Sequence, residues 1–218
     1  MLAAMWKRTR EPVDPRTRGV MVLAELVETA LRMVHPGPVL RAPGTGGFDG
    51  LVLATGTATG WHLVTVGLSS PDVPSAGEGV CGRGVELSLR VDQDAVDPSR
   101  PGTPWPVGVL SALAVRVQNG DVIGPGTRWE NHTPLDEDPA STATHLLFVA
   151  DRTLRRVQTP MGEVALTQAV PVDQAHLEQA RVEGVEPVVA GLLGSDPAAV
   201  APLHPAGSDG SGVSRPGR

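Results

Sequence analysis

Two periodicities alternate along the chain. From Val20 to Val34 the apolar positions Leu23, Leu26, Val27, Ala30, Leu31 and Val34 recur three and four residues apart, with Glu25, Glu28, Thr29 and Arg32 between them. That spacing predicts an amphipathic helix over 20–34, stopped by His35-Pro36-Gly37-Pro38. Short β-rich runs follow. Leu51-Val52-Leu53 and Trp61 to Leu68 read as strands within Gly- and Thr-rich surroundings. Gly84 to Val91 alternates strictly, with Val85, Leu87, Leu89 and Val91 on one side and Glu86, Ser88 and Arg90 on the other. This predicts a half-buried strand with a polar outer face. Helical spacing returns at Val107, Leu110, Leu113, Ala114 and Val117, entered through Trp105-Pro106 and left through Asn119-Gly120. Proline suits the first helical turn because its missing N–H has no partner there.

Residues 121–143 show no period. His145 to Ala150 reads as an apolar strand. Val157 to Thr159 and Glu163 to Val170 read as a hairpin turning through Pro160-Met161-Gly162. Asp173 stands where an N-cap is expected for a helix from Gln174 to about Val182, and Pro187 to Leu193 completes a last short helix. Helices and strands mix without strict alternation. The expected class is α+β, a mixed, mainly antiparallel sheet covered by helices.

Composition sharpens this into one domain with tails. The 218 residues are 40% hydrophobic and 19% charged. A chain of this length buries ~70% or more of its unfolded surface, so neither disulfide nor metal is needed for folding. With no tyrosine and two phenylalanines, the core must be Val, Leu and Ala, and four tryptophans carry most of the aromatic area. Residues 1–19 hold Lys7, Arg8, Arg10, Arg16 and Arg18 and are expected to be a basic arm; 20–194 the folded domain; 195–218 a disordered Gly/Ser/Pro tail. The net charge of −6 argues against electrostatic attraction to nucleic acid or anionic lipid. A lone cysteine, Cys81, cannot form an internal disulfide, and the longest apolar-rich stretch is too short and too charged to span a bilayer. The expected location is cytoplasmic.

Candidate chemistry is sparse. Gly77-Glu78-Gly79-Val80-Cys81-Gly82 spells G-x-G-x-x-G, but a Pro-containing loop precedes it and a strand follows. Phosphate binding needs the reverse, a strand before and a helix N-terminus after. The six histidines form no H-E-x-x-H and find no C-x-x-C, so no metal or cofactor is expected. Asp136-Glu137-Asp138 reads as a solvated turn. An enzymatic reading would rest on His62, Glu86 or His145, and requires those side chains to converge in one pocket.

Several short motifs, in order, resemble the suppressor of fused-like domain family. Trp61 to Ser69 resembles its opening strand ending in Gly67-Leu68-Ser69. Gly82-Arg83-Gly84-Val85-Glu86-Leu87-Ser88-Leu89-Arg90 is similar to its Gly-x-Gly-x-Glu-Leu-[Thr/Ser]-x-Arg strand. Pro104-Trp105-Pro106 resembles its helix start. Gly124, Trp129 and Pro134-Leu135-Asp136 fall in its Gly…Trp…Pro-Leu-Asp loop, and Val157-Gln158-Thr159-Pro160-Met161-Gly162 resembles its hairpin. The agreement spans about residues 61–185.

The resemblance implies a non-enzymatic protein-binding module. Its animal members restrain zinc-finger transcription factors, and its bacterial members are regarded as immunity proteins that neutralise polymorphic toxins. The Ala-, Val-, Gly-, Pro- and Arg-rich usage suits a high-GC bacterium. Here Gly124-Pro125-Gly126 and Arg116 depart from the animal pattern. The expected partner is therefore another protein, a toxin or a regulatory partner. The expected contacts are Glu86, Arg90, Arg116 and Trp129. Gly67, Gly84, Trp105, Pro106, Gln158, Thr159, Pro160 and Gly162 are expected to carry structural roles. A regulatory module binding an extended segment along a sheet edge is the alternative.

Overall fold

The computed structural model describes residues 18–96, 102–196, 199–201 and 203. Helix α1 (Arg18–Val34) is followed by strands β1 (Val39–Pro43), β2 (Leu51–Gly56), β3 (Trp61–Val66) and β4 (Val80–Val91). Helix α2 (Trp105–Gln118), strands β5 (Arg128–Trp129), β6 (His145–Ala150), β7 (Arg156–Thr159) and β8 (Gly162–Val172), and helices α3 (Gln174–Glu183) and α4 (Val185–Leu193) complete the order. One sheet runs β1-β2-β3-β4-β8-β6-β5, with β7 paired to β8. Every pairing is antiparallel except β4 with β8, at the centre. The α+β class with a mainly antiparallel, helix-covered sheet is therefore the observed architecture.

Strand alternation splits the core. On one face α2 lays Val107, Leu110, Leu113, Ala114 and Val117 on Val52, Ala54, Leu63, Leu87, Leu89, Leu146 and Phe148. The opposite face is divided. Leu23, Ala24, Val27 and Leu31 of α1 pack on Leu53, Val64, Val66, Val164 and Leu166. Helices α3 and α4 pack Leu177, Ala180, Val185, Val188 and Val189 on Leu147, Val149, Val170 and Val172. Between those two apolar patches lies a strip of buried polar side chains.

The strand Gly84–Val91 departs from the sequence expectation. It begins at Val80, and both its faces are covered: Glu86, Ser88 and Arg90 are as buried as Leu87 and Leu89. The alternation is real, but helices on both sides turn the supposed outer face into interior. Strand β1 was not expected at all, since Val39-Leu40-Arg41 lacks an alternating pattern; it takes its conformation from the ladder with β2. Helix α3 starts where the N-cap predicts, with the Asp173 carboxylate accepting the His176 N–H at 2.9 Å. The expected arm lies largely outside the described residues, although Arg18 and Gly19 already belong to α1. Past residue 195, Ala201 and Leu203 are buried, and the Leu203 carbonyl accepts from Ser141 Oγ and Thr142 N. These described positions pack on the domain, within the stretch where the sequence suggests a disordered tail.

Candidate functional site

The strands β3 and β4 pair from Trp61↔Val91 to Val64↔Ser88 and then part. Where they part, ladder donors lose their partners, and Glu86 supplies new ones. Its Oε1 accepts the N–H groups of Gly67 (2.9 Å) and Ser69 (2.8 Å), while Oε2 accepts the Thr65 hydroxyl at 2.7 Å. Thr65 Oγ1 in turn accepts the Leu87 N–H at 2.8 Å. Burial pushes the Glu86 carboxyl up to about 7, and the hydrogen bonds from Ser69, Thr65 and Gly67 oppose the rise. The approach of these segments requires Gly82, whose φ is +53°; a Cβ there would lie 2.8 Å from the Ser69 Cα. Gly67 and Gly84 also hold positive φ.

A second buried network centres on Asp151, in the turn after β6. Its Oδ2 accepts from His62 Nε2 (3.0 Å) and Ser88 Oγ (2.6 Å). Its Oδ1 accepts from the N–H groups of Thr153 (2.9 Å) and Leu154 (2.8 Å) and from Thr153 Oγ1 (3.0 Å). Arg90 Nη2 lies 3.7 Å from Oδ1 and donates to Thr153 Oγ1. Burial alone would raise the Asp151 carboxyl; His62, Arg90 and the Leu154 N–H outweigh it and hold the group well below the usual carboxylate range. Beyond His62 stands His35, its Nε2 3.1 Å from His62 Nδ1. Burial pushes His35 down to about 4, helped by His62 and Arg90. Burial likewise lowers His62, against the pull of Asp151.

Ser88, His62 and Asp151 have the residue types of a nucleophilic triad but not its connectivity. Ser88 donates its hydroxyl to the carboxylate, both nitrogens of His62 are engaged by Asp151 and His35 and not by Ser88, and all three are buried without exposure. His145 belongs elsewhere: its Nδ1 accepts the Asn131 N–H and its Nε2 faces Gln174 Oε1 at 2.7 Å. His62, Glu86 and His145 thus sit in three separate networks, and the convergence an enzymatic reading requires of them does not occur. Among the described residues no group of His, Cys, Asp and Glu could hold a metal, and no helix is long and apolar enough to cross a membrane.

The four expected contact residues divide sharply. Glu86 and Arg90 are interior, so neither can touch a partner in this conformation. Arg116 is half exposed on α2 and ion-paired with Asp121 at 2.7 Å. Trp129, on the short end strand β5, packs partly on the α2-side core. Trp105 and Pro106 open α2, with Trp105 against that same core. In the β7–β8 turn, Thr159 Oγ1 donates to the Gly162 carbonyl (2.7 Å) and accepts the Met161 N–H (3.2 Å) across Pro160. Gln158 Nε2 donates to the Thr159 carbonyl at 3.4 Å. A groove of about 730 Å³ opens beside the start of α2, walled by Asp94, Trp105, Asp136, Glu137, Asp138 and Leu203.

Sequence reading missed Asp151 and His35. The signal for the first was Asp151-x-Thr153 directly after an apolar strand, an Asx-turn pattern. For His35, read only as part of a helix stop, no local signal exists.

Comparison with known proteins gives this arrangement a lineage. The family model described as Suppressor of fused protein (SUFU) matches residues 44–204. The human Suppressor of fused homolog is 30% identical over 128 residues, which are 56% of this chain and 26% of that protein; the mouse homolog is 29% identical over the same extents. The match thus spans about a quarter of these relatives' length. Among solved structures, that of the Sufu–Fu complex superposes with a TM-score of 0.67 at 24% identity, covering 85% of this chain and 89% of that one. Drosophila Suppressor of Fused gives 0.64 at 24%, covering 80% and 47%. A SUFU homolog from Neisseria gonorrhoeae gives 0.57 at 16%, covering 84% and 97%. With the family model extending over most of the chain and the same fold in each of these neighbours, the chain belongs to the suppressor of fused family.

Proposed function

We propose that the chain is a protein-binding module, and that in a bacterial cell it binds and neutralises a partner toxin as an immunity-type protein. The observation that carries the reading is family membership across 44–204, one relative of which has been solved as a Sufu–Fu complex. The geometry is in keeping with it. The groups that would suit chemistry are buried and held in hydrogen-bond networks of the interior, so they hold a scaffold. Contact falls to the surface, where Arg116 and Trp129, both on the α2 side of the sheet, are the proposed contributors. Glu86 and Arg90 contribute through the scaffold.

A second reading follows from the sheet's path, which ends at β1 and β5. An extended partner segment would add as a strand at such an end.

The test is copurification of the full chain from its native cell, mass spectrometry of what elutes, and reconstitution from two purified proteins. A stoichiometric complex weakened tenfold or more by Arg116→Glu or Trp129→Ala is expected. Coexpression with that partner is expected to rescue growth. A partner whose toxicity is untouched would remove the immunity role, and the absence of any stoichiometric partner would remove the binding role.

A further inference from the structure

The His35–His62 contact limits how many protons the pair can hold. The rings meet edge to face with centroids 5.3 Å apart. On its far side His62 Nε2 lies 3.0 Å from Asp151 Oδ2. A carboxylate accepts, so His62 carries its proton on Nε2 and its Nδ1 is bare. His35 therefore donates through Nε2 across 3.1 Å. One extra proton fits: when His62 becomes an imidazolium, His35 moves its own proton to Nδ1 and accepts instead. Two do not, because each ring would then present an N–H to the other.

The pair also joins separate parts of the fold. The His35 N–H donates to the Leu31 carbonyl in the last turn of α1. His62 lies in β3, and Asp151 lies in the turn between β6 and β7. A continuous chain of hydrogen bonds thus runs from the end of α1, through the sheet, to that turn. The charged groups acting on the pair are Asp151 from that turn and Arg90 from β4. Arg90 is itself influenced by Arg152 and Asp196. On α1, Glu28 is held by Arg32 and by Arg41 of β1. Asp151 is already engaged by five donors and by Arg90, so it cannot be the counter-charge for two imidazolium ions.

We propose that His35 and His62 form an acid-opened latch: protonation of both rings parts the end of α1 from β3 and releases α1 from the sheet. The depressed basicity of both rings supports this. A histidine whose folded value lies below its ordinary 6.5 contributes stability that is present above 6.5 and lost as pH falls toward the folded value, about 4 for His35. With two such groups, the closed-to-open ratio falls by up to about a hundredfold per pH unit within that window. The device is independent of any partner, so it stands or falls apart from the binding role.

The test uses the full chain. Nitrogen-15 NMR of the histidines at pH 7.5 is expected to show His35 and His62 both protonated on Nε2 with bare Nδ1. Hydrogen exchange, corrected for intrinsic rates, is expected to show α1 losing at least tenfold protection between pH 7.5 and 5 while α2 keeps its own. His62 protonated on Nδ1 at pH 7.5, or α1 and α2 losing protection together, overturns the proposal. His35→Gln keeps a donor on His62 Nδ1 but cannot be charged. It is expected to leave α1 protected at pH 5, and an α1 loss equal to that of the unaltered chain overturns the latch. If that variant does not fold, the measurements on the unaltered chain decide alone.

Discussion

The two faces of the sheet are closed in different ways. Under α2 the contact is continuous and apolar, from Val52 and Ala54 through Leu87 and Leu89 to Phe148. Under α1 and α3–α4 the apolar area is interrupted by His62, Ser88, Arg90 and Asp151, all buried. The first kind of closure rests on area removed from water and tolerates repacking. The second rests on pairing buried donors with buried acceptors. A buried charge repays its desolvation only when its partners are in place, and losing one partner strands the rest. The polar face therefore specifies position, fixing how the Asp151 turn and the end of α1 sit on the strands, while the α2 face holds the largest of the three apolar clusters.

Four substitutions probe this contrast, in decreasing order of effect. Asp151→Ala strands His62, Ser88, Arg90 and two turn N–H groups at once, and is expected to cost about 3–5 kcal/mol in denaturant-induced unfolding. Leu110→Ala, on the apolar face, opens a cavity under α2 and is expected to cost about 2–5 kcal/mol, partly recovered when a neighbouring side chain is enlarged. A polar face that lost less than the apolar one would contradict the contrast. Glu86→Gln is expected to cost about 1–3 kcal/mol near pH 5, with a distinctive pH dependence. A carboxyl raised to about 7 from an ordinary value of 4.5 contributes stability that is complete below 4.5 and lost as pH rises through 7. The glutamine variant lacks that loss, so its deficit narrows between pH 5 and 8; a constant deficit would show that Glu86 stays ionised throughout. Arg116→Ala breaks an exposed pair with Asp121 and is expected to change stability by no more than ~0.5 kcal/mol, leaving any loss of binding attributable to contact.

Much of the fold was legible where local rules decide. The i, i+3, i+4 spacing of Leu23, Leu26, Val27, Ala30 and Leu31 marked α1, Pro106 marked the start of α2, and Asp173 marked that of α3, each because the signal lies within a few residues. The hairpin around Pro160-Met161-Gly162 was legible for the same reason. Strand β1 was not, since its five residues owe their conformation to the ladder with β2. The central parallel pairing of β4 with β8, distant in sequence, had no local signal either.

The polar strip shows the boundary most clearly. Period two told that Glu86, Ser88 and Arg90 project from the same side of a strand. Whether that side meets water or helices depends on α1, α3 and α4, whose packing directions no local pattern encodes. His62 was visible as a polar residue within an apolar strand, but its partners stand 27 and 89 residues away. By itself the sequence determined most of the elements, the α+β class and the family, because these rest on periodicity, capping and ordered short motifs. Only the tertiary structure decided that the alternating strand is interior on both faces and that Glu86 and Arg90 are each held in a separate buried network, because burial is a property of what packs above a residue and never of the residue alone.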